Sequence, residues 1–193
     1  MEQVGENCFR RFLMVHLPET HKLLYAIEMA SVAHQLQRRK GCLNIPYINH
    51  PIKVSLLLSE CGFHDINILQ AAILHDVIED TDLSYSDLEK SFGKKVADIV
   101  LEVTDDMSLP SRKRKELQVI HASELSYEAG CLKIADKTCN IRDILTYPIS
   151  WNNQRKRTYI TWASDVVENI NDKHPCLLEH FNNAVKWAYK VLD

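Results

Sequence analysis

LHDVIED, residues 74–80, is the stretch from which the fold and chemistry of this chain are inferred. In a helix, side chains four positions apart lie one above the other, so His75 would lie over Glu79 and Asp76 over Asp80. One imidazole and three carboxylates would then share a single patch. This grouping indicates a bound metal ion, although a solvated helix end would also explain an acidic pair by itself.

The residues around this stretch have the spacing of a helix. Asp65 is a candidate N-cap, and the apolar positions that follow recur three and four apart, so the sequence predicts one helix from Asp65 to about Thr81. Its acids would crowd the C-terminal turn, where the helix dipole disfavours negative charge by about 0.3–1 kcal/mol per group. A nearby cation is therefore expected.

Further ligands must come from separate segments, because neighbours on one helix cannot surround an ion. His50 lies in PYINHP, residues 46–51, at the entrance to a predicted helix, where capping or packing is the alternative role. Asp136 lies in the apolar segment LKIADK and is expected to be partly buried, with an ion pair to Lys or Arg as the alternative. Two imidazoles and two carboxylates without a thiolate suit manganese, iron or magnesium better than a closed zinc site. The candidate metal ligands are His50, His75, Asp76 and Asp136.

The bulk composition narrows the class of protein. A chain of 193 residues suits one domain, and a net charge of −3 provides no general basic field for nucleic acid. The first residues lack a signal-peptide pattern, and no apolar run reaches membrane-spanning length. We therefore expect a cytoplasmic protein that binds neither nucleic acid nor membrane. The sequence does not assign an oligomeric state.

The periodicity of the chain predicts an all-α fold. Only five glycines and six prolines interrupt it, and most intervals place apolar residues three and four apart. Residues 1–20 are interpreted as an N-terminal extension, and residues 21–193 as a single bundle. About nine helices are predicted, near residues 19–39, 51–58, 65–81, 84–93, 94–105, 111–124, 127–145, 152–169 and 176–192.

Two other features are interpreted as structural. The six cysteines form no C-x-x-C pair and no compact framework, which predicts reduced and mostly buried thiols. The basic run Arg112–Lys115 has no interleaved aromatic residues, so a solvated helix face is favoured over a nucleic-acid site. His34 is expected to pack within the first helix near the metal site. The cysteines are Cys8, Cys42, Cys61, Cys131, Cys139 and Cys176.

Several ordered motifs resemble one known family. The chain is similar to the RelA/SpoT-type hydrolase branch of the HD superfamily, and within it to the small alarmone hydrolases typified by the metazoan SpoT homologue. The likeness spans about residues 21–170. It rests on Ala33-His34, Gln37 to Gly41, PYINHP, LHDVIEDT, Phe92-Gly93, Val103 to Asp106, Leu109-Pro110, Arg114-Lys115, Leu117 to Val119 and Ala135-Asp136-Lys137.

The resemblance implies a manganese-dependent HD-domain enzyme and assigns roles to residues. The four candidate ligands match the family's metal ligands, and Glu79 and Asp80 match the acidic pair that works beside the metal. Arg39 and Lys40 match a substrate-contacting pair, and Asn140 matches a position that faces the nucleotide. Arg155 and Tyr159 match nucleotide-side positions if a one-residue gap is allowed.

The implied reaction removes pyrophosphate from the 3′ position of guanosine 3′,5′-bis(diphosphate) or its triphosphate relative, which leaves GDP or GTP. Hydrolysis without synthesis is expected, because the chain has no synthetase segment. Two alternatives stay open: an HD phosphatase for another phosphorylated nucleotide, such as NADPH or a nucleoside monophosphate, and a sensor that binds nucleotide without turnover. Thr138, Cys139 and the loop at residues 42–45 depart from the family pattern.

Overall fold

The computed structural model describes residues 18–41 and 43–193, and the regular structure within these ranges is helical. The all-α prediction is confirmed. Apart from residues 18–20, the predicted N-terminal extension lies outside the described residues. None of the described helices has the length and apolar character needed to cross a membrane. The elements are α1 (Glu19–Ala33), α2 (Asn49–Glu60), α3 (Ile66–Leu74), α4 (Val77–Asp80), α5 (Tyr85–Phe92), α6 (Lys94–Val103), α7 (Ser111–His121), a 3-10 turn (Ala122–Glu124), α8 (Tyr127–Thr146), α9 (Asn153–Asn169) and α10 (Pro175–Leu192).

The predicted helix from Asp65 to Thr81 is divided in two. Asp65 caps α3 as predicted, because its carboxylate accepts a hydrogen bond from the Asn67 backbone N–H at 2.9 Å. Continuity to Thr81 was wrong: α3 ends at Leu74 and α4 begins at Val77. The Nδ1 atom of His75 lies 2.8 Å from the Ala72 carbonyl oxygen, so a side chain competes for the backbone where the helix ends. His75 and Asp76 therefore lie in a turn between two helices.

The first helix is shorter than predicted. It ends at Ala33, and the chain then folds back on itself. The Arg39 N–H donates to the Ile45 carbonyl at 2.9 Å, and the Tyr47 N–H donates to the Gln37 carbonyl at 3.1 Å. Arg38 also forms an isolated antiparallel bridge with Pro46. Arg39 therefore lies in a bridged loop rather than at the end of the predicted first helix.

Helix α8 lies at the centre of the bundle. It packs against α2, α3, α6, α9 and α10, and every side chain from Ala129 to Cys139 is buried. A helix buried all round carries polar residues only where they have partners. Lys133 donates to the Val103 carbonyl at 2.8 Å, and Lys137 lies 3.2 Å from Asp136. The candidate ligand Asp136 is thereby fixed deep in the fold.

A disulfide joins Cys61, at the end of α2, to Cys176, in the first turn of α10. The prediction of reduced thiols was wrong for this pair. The two residues are 115 positions apart in sequence but have Cα atoms 5.5 Å apart, a proximity that only the tertiary fold creates. Cys131 and Cys139 are buried and form no disulfide with another described cysteine, as predicted. Cys8 and Cys42 lie outside the described residues.

Reduction of this disulfide is expected to lower the free energy of unfolding by about 2–4 kcal/mol, because the bond closes a long loop in the unfolded chain. Urea unfolding of the oxidised and reduced protein, with a thiol count on each sample, measures the difference. Cys61→Ser should unfold like the reduced protein and should no longer respond to reductant. Equal midpoints for the oxidised and reduced wild type would contradict the expectation.

Candidate metal centre

The four candidate ligands converge from three parts of the fold. His50 comes from the first turn of α2, His75 and Asp76 from the turn after α3, and Asp136 from the middle of α8. The His50 Nε2 atom lies 3.1 Å from Asp136 Oδ1 and 4.0 Å from Asp76 Oδ2. The His75 Nε2 atom lies 3.0 Å from Asp76 Oδ2 and 3.9 Å from Asp136 Oδ1. His50, His75 and Asp76 each offer an atom within 4.8 Å of the others, and Asp136 Oδ1 adjoins both imidazoles.

This arrangement fits a divalent metal ion. In an octahedral site, atoms that each bond one ion at about 2.1 Å lie about 3.0 Å apart when adjacent and about 4.2 Å apart when opposite. The four distances above, from 3.0 to 4.0 Å, fall within these values. Within the described residues, His75 Nε2 is buried with no well-formed hydrogen bond, although Asp76 Oδ2 lies 3.0 Å away. Its Nδ1 atom faces the Ala72 carbonyl, which orients the ring as in metal-binding histidines. The buried Nε2 atom therefore lies on the side of the ring that faces Asp76 and Asp136.

The electrostatics of the centre favour a cation. Burial would raise the pKa of Asp136, but Lys137 and His50 hold it well below its usual range. Burial would lower the pKa of His75, but the neighbouring Asp76 carboxylate raises it to about 9. Burial lowers the pKa of His50. Burial would raise the pKa of Asp76 as well, but His75 and His50 hold it well below its usual range. Both carboxylates therefore stay ionised in the interior, where negative charge needs a positive partner.

Three side chains hold the carboxylates in place, and the sequence reasoning assigned none of them this task. The Tyr47 hydroxyl donates to Asp76 Oδ2 at 2.7 Å, Lys137 lies 3.2 Å from Asp136 Oδ2, and the Asn140 amide donates to Asp136 Oδ1. Tyr47 and Lys137 stand in the two motifs already singled out, PYINHP and Ala135-Asp136-Lys137. Their closeness in sequence to His50 and Asp136 was the feature from which this supporting role could have been predicted.

His34 packs beside the centre, as predicted, but it follows the last residue of α1 instead of lying within the helix. It is 2% exposed, its ring centroid lies 4.8 Å from that of Tyr47, and its Nδ1 atom lies 2.7 Å from Gln37 Oε1. Its contacts are with Tyr47 and Gln37 rather than with the ligand carboxylates. His34 therefore supports the residue that orients Asp76.

Glu79 and Asp80 line the cavity beside the centre but are not stacked over His75 and Asp76 on one helix. Glu79 Oε2 accepts a hydrogen bond from the Asp105 backbone N–H at 3.0 Å. Burial raises the pKa of Glu79, and burial together with the Asp76 charge raises the pKa of Asp80. The two acids are held differently. Glu79 is held through its carboxylate, whereas Asp80 is held through its backbone carbonyl, which accepts a hydrogen bond from the Gln37 side chain at 2.6 Å. Both can exchange protons closer to neutral pH than ordinary carboxyls.

A cavity of about 400 Å³ opens beside the metal centre. Four of the five predicted substrate-binding residues line it: Arg39, Lys40, Asn140 and Tyr159. Arg155 does not line it; its guanidinium lies 4.4 Å from the ring centre of Trp151, which does. Arg155 is therefore placed behind the cavity wall. Lining residues that the sequence reasoning did not select include Tyr47, Met107, Arg114, Asp143, Tyr147 and Trp151.

Arg39 is held toward the cavity by α8. One guanidinium nitrogen donates to Asn140 Oδ1 at 2.6 Å and lies 3.2 Å from Asp143 Oδ2. Asp143 also pairs with Lys53 at 2.9 Å. Because its partners are fixed on a buried helix, Arg39 presents a positioned charge rather than a flexible one.

The basic run at residues 112–115 is only partly a solvated face. Arg112 and Lys113 are exposed and pair with Glu116, as predicted. Arg114 instead donates to the Leu109 carbonyl at 2.9 Å and lines the cavity. The Lys115 ammonium lies 4.8 Å from the ring centre of Trp162. Helical rotation turns the second half of the run inward, so the prediction was wrong for Arg114 and Lys115.

The known proteins that resemble this chain are HD-domain hydrolases. A family model described as "HD domain" matches residues 26–159. The guanosine-3′,5′-bis(diphosphate) 3′-pyrophosphohydrolase MESH1 of Drosophila melanogaster is 44% identical over 151 residues, which cover 77% of this chain and 84% of the fly protein. The human protein of the same name is 42% identical over 170 residues, covering 87% and 95%.

A solved structure agrees with these relatives. It is described as "A metazoan ortholog of SpoT hydrolyzes ppGpp and plays a role in starvation responses", and it superposes with a TM-score of 0.82 at 40% identity. The match covers 86% of this chain and 94% of the solved one. The similarity therefore extends over the helices that carry the metal centre.

Proposed function

The chain belongs to the HD domain family, in the branch of the MESH1-type hydrolases, and we propose that it removes pyrophosphate from the 3′ position of guanosine 3′,5′-bis(diphosphate). The products are GDP and pyrophosphate, or GTP and pyrophosphate from the triphosphate relative. The names of the relatives support the choice of substrate. The observation that carries the proposal is the convergence of His50, His75, Asp76 and Asp136 beside a cavity lined by cationic side chains.

The metal in this proposal is manganese, held by these four residues. Nitrogen and oxygen donors without a thiolate support a metal of this class over a structural zinc ion. A divalent ion bound there would lower the pKa of water and polarise a phosphoryl oxygen. The protein itself would supply the ligands, orient them through Tyr47, Lys137 and Asn140, and exclude bulk water from the buried side.

Glu79 and Asp80 are proposed to move the protons. Hydrolysis adds a water oxygen to the phosphorus next to the ribose, breaks the bond from that phosphorus to the 3′ oxygen, and returns a proton to that oxygen. Glu79, fixed by the Asp105 N–H, takes the proton from water. Asp80, whose pKa is raised by burial and by Asp76, gives a proton to the departing oxygen.

The cavity walls are proposed to bind the nucleotide. Arg39 and Lys40 neutralise the phosphates, and an arginine can grip two oxygens at once. Asn140 and Tyr159 face the nucleoside, where Tyr159 can stack on the base. Arg155 does not touch the nucleotide in this proposal; its guanidinium packs on Trp151 and supports that ring in the cavity wall. A cytoplasmic location stays a prediction of the sequence.

A panel of nucleotides tests the proposal. The protein loaded with manganese should release pyrophosphate from guanosine 3′,5′-bis(diphosphate), and release should stop when a chelator removes the metal. Phosphate release from NADPH or a nucleoside monophosphate, without pyrophosphate release from the guanosine substrate, would contradict the proposal. The protein would then be an HD phosphatase for another nucleotide. Binding of the guanosine nucleotide without turnover, at full metal occupancy, would make the protein a sensor.

Arg39→Ala is expected to raise KM by about 10-fold to 100-fold, because a charge-assisted hydrogen bond contributes about 1.5–3 kcal/mol. Steady-state kinetics on the guanosine substrate measure the change. Arg112→Ala is the matched control, since Arg112 is also cationic but its side chain is 93% exposed and outside the cavity. An unchanged KM for Arg39→Ala would remove Arg39 from the binding site.

A further inference from the structure

The orientation of Glu79 depends on a segment that the metal centre does not include. The Asp105 backbone N–H donates to Glu79 Oε2 at 3.0 Å, which leaves the second carboxylate oxygen for the reacting water. Asp105 lies in residues 104–110, the nonhelical connection between α6 and α7. The Asp105 N–H can keep its direction toward Glu79 only if other contacts fix the conformation of this nonhelical connection.

The Asp105 carboxylate is held from α7. The Gln118 amide nitrogen lies 2.9 Å from one Asp105 oxygen and 2.7 Å from the other, and the Arg114 guanidinium lies 3.7 Å away. The Gln118 amide oxygen is buried and has no hydrogen-bond partner among residues 18–41 and 43–193. Rotating the amide would give that oxygen no donor and would place it against a carboxylate, so the orientation is fixed by Asp105. Gln118 therefore binds Asp105 through its amide nitrogen, in an orientation that leaves its amide oxygen without a donor among the described residues.

The same connection is pinned on both sides of Asp105. Arg114 donates to the Leu109 carbonyl at 2.9 Å, and Lys133 of the buried helix α8 donates to the Val103 carbonyl at 2.8 Å. The ends of the connection are thus tied to α7 and α8 through backbone oxygens. Between these two contacts, Gln118 binds the side chain of Asp105, the residue whose backbone N–H donates to Glu79.

We propose that Gln118 is a positioning residue for catalysis: it fixes Asp105, and the Asp105 N–H in turn aims the Glu79 carboxylate. The inference rests on the proposed hydrolytic function, because it assigns Gln118 a role through Glu79. Gln118 contacts neither the four metal ligands nor the predicted substrate-binding residues through hydrogen bonds in the described part of the chain. Its loss should therefore slow the chemical step while metal and substrate still bind.

Gln118→Met tests this, because methionine keeps the length of the side chain and removes the donor. We expect kcat to fall by about 10-fold to 100-fold, as for a small misplacement of a catalytic group, with KM and manganese content within about twofold of wild type. The acidic limb of the kcat profile should move to higher pH, since the N–H that stabilises the ionised Glu79 carboxylate is weakened. Gln118→Lys, which restores a donor to Asp105, should recover most of kcat.

Glu116→Gln is the control, because Glu116 is on the same helix and its ion pairs in the described part of the chain are with the exposed Arg112 and Lys113. If Gln118→Met does not fold, Gln118→Leu enters the same comparison. A folded variant with unchanged kcat and pH profile would overturn the proposal, as would a loss confined to KM or no recovery in Gln118→Lys. All variants are assayed on whichever nucleotide the wild type turns over, so a wrong substrate is told apart from a wrong role for Gln118. A wild type that turns over none would overturn both.

Discussion

Asp136→Ala is expected to abolish tight metal binding and to lower turnover by more than about 100-fold. Changing residues that only orient a metal ligand typically costs about 10-fold to 100-fold, so loss of a ligand should cost more. Asp136 Oδ1 is the oxygen nearest to His50 Nε2, and it also lies 3.9 Å from His75 Nε2. Without this oxygen the two imidazoles face only one carboxylate.

Metal content after gel filtration and the rate of pyrophosphate release measure the two effects. Thr138→Val is the matched control: Thr138 is fully buried two residues along α8, and its hydroxyl donates to the Ile134 carbonyl at 2.7 Å without facing the centre. That variant should keep its metal. A thermal melt of each variant separates ligand loss from unfolding. Full metal occupancy in folded Asp136→Ala would exclude Asp136 from the ligand set.

The residues of the centre could be predicted because their chemistry is written in short local motifs. An imidazole and carboxylates in LHDVIED, a histidine before Pro51, and an acid in an apolar helix each suggested a buried charge that needs a cation. What local reasoning missed is the break after Leu74. Helical spacing continues through His75 and Asp76, and only the contact between His75 Nδ1 and the Ala72 carbonyl marks the interruption. Such competition between a side chain and the backbone leaves no trace in periodicity.

The remaining differences arise from contacts between distant segments. The disulfide needs α10 to lie against the end of α2, and the inward turn of Lys115 needs Trp162 of α9 beneath it. The role of Tyr47 depends on Asp76, which is far away in sequence. Spacing along the chain cannot show these pairings, because each is decided by how the helices pack. The sequence therefore predicted which side chains the fold brings together better than it predicted the scaffold that holds them.

Glu79→Gln is expected to retain metal and to lower kcat by about 10²-fold to 10⁴-fold, the usual loss when a general base is removed. Glutamine can still accept the hydrogen bond from the Asp105 N–H, so the side chain keeps its place but cannot take a proton. Manganese content should match wild type, because Glu79 is outside the proposed ligand set. Asp82→Asn, an exposed acid three residues further on, should leave kcat unchanged.

The pH dependence of kcat gives the same assignment an independent check. Burial raises the pKa of Glu79, and a base works only when it is deprotonated. The activity of the wild type should therefore rise with pH along a limb that lies above the ordinary glutamate pKa of about 4.3. The limb should be absent from the residual activity of Glu79→Gln. If that variant keeps its metal and turns over at nearly the normal rate, or if the limb persists in it, Asp80 rather than Glu79 must take the proton from water, because it is the other acid with a raised pKa in the cavity wall.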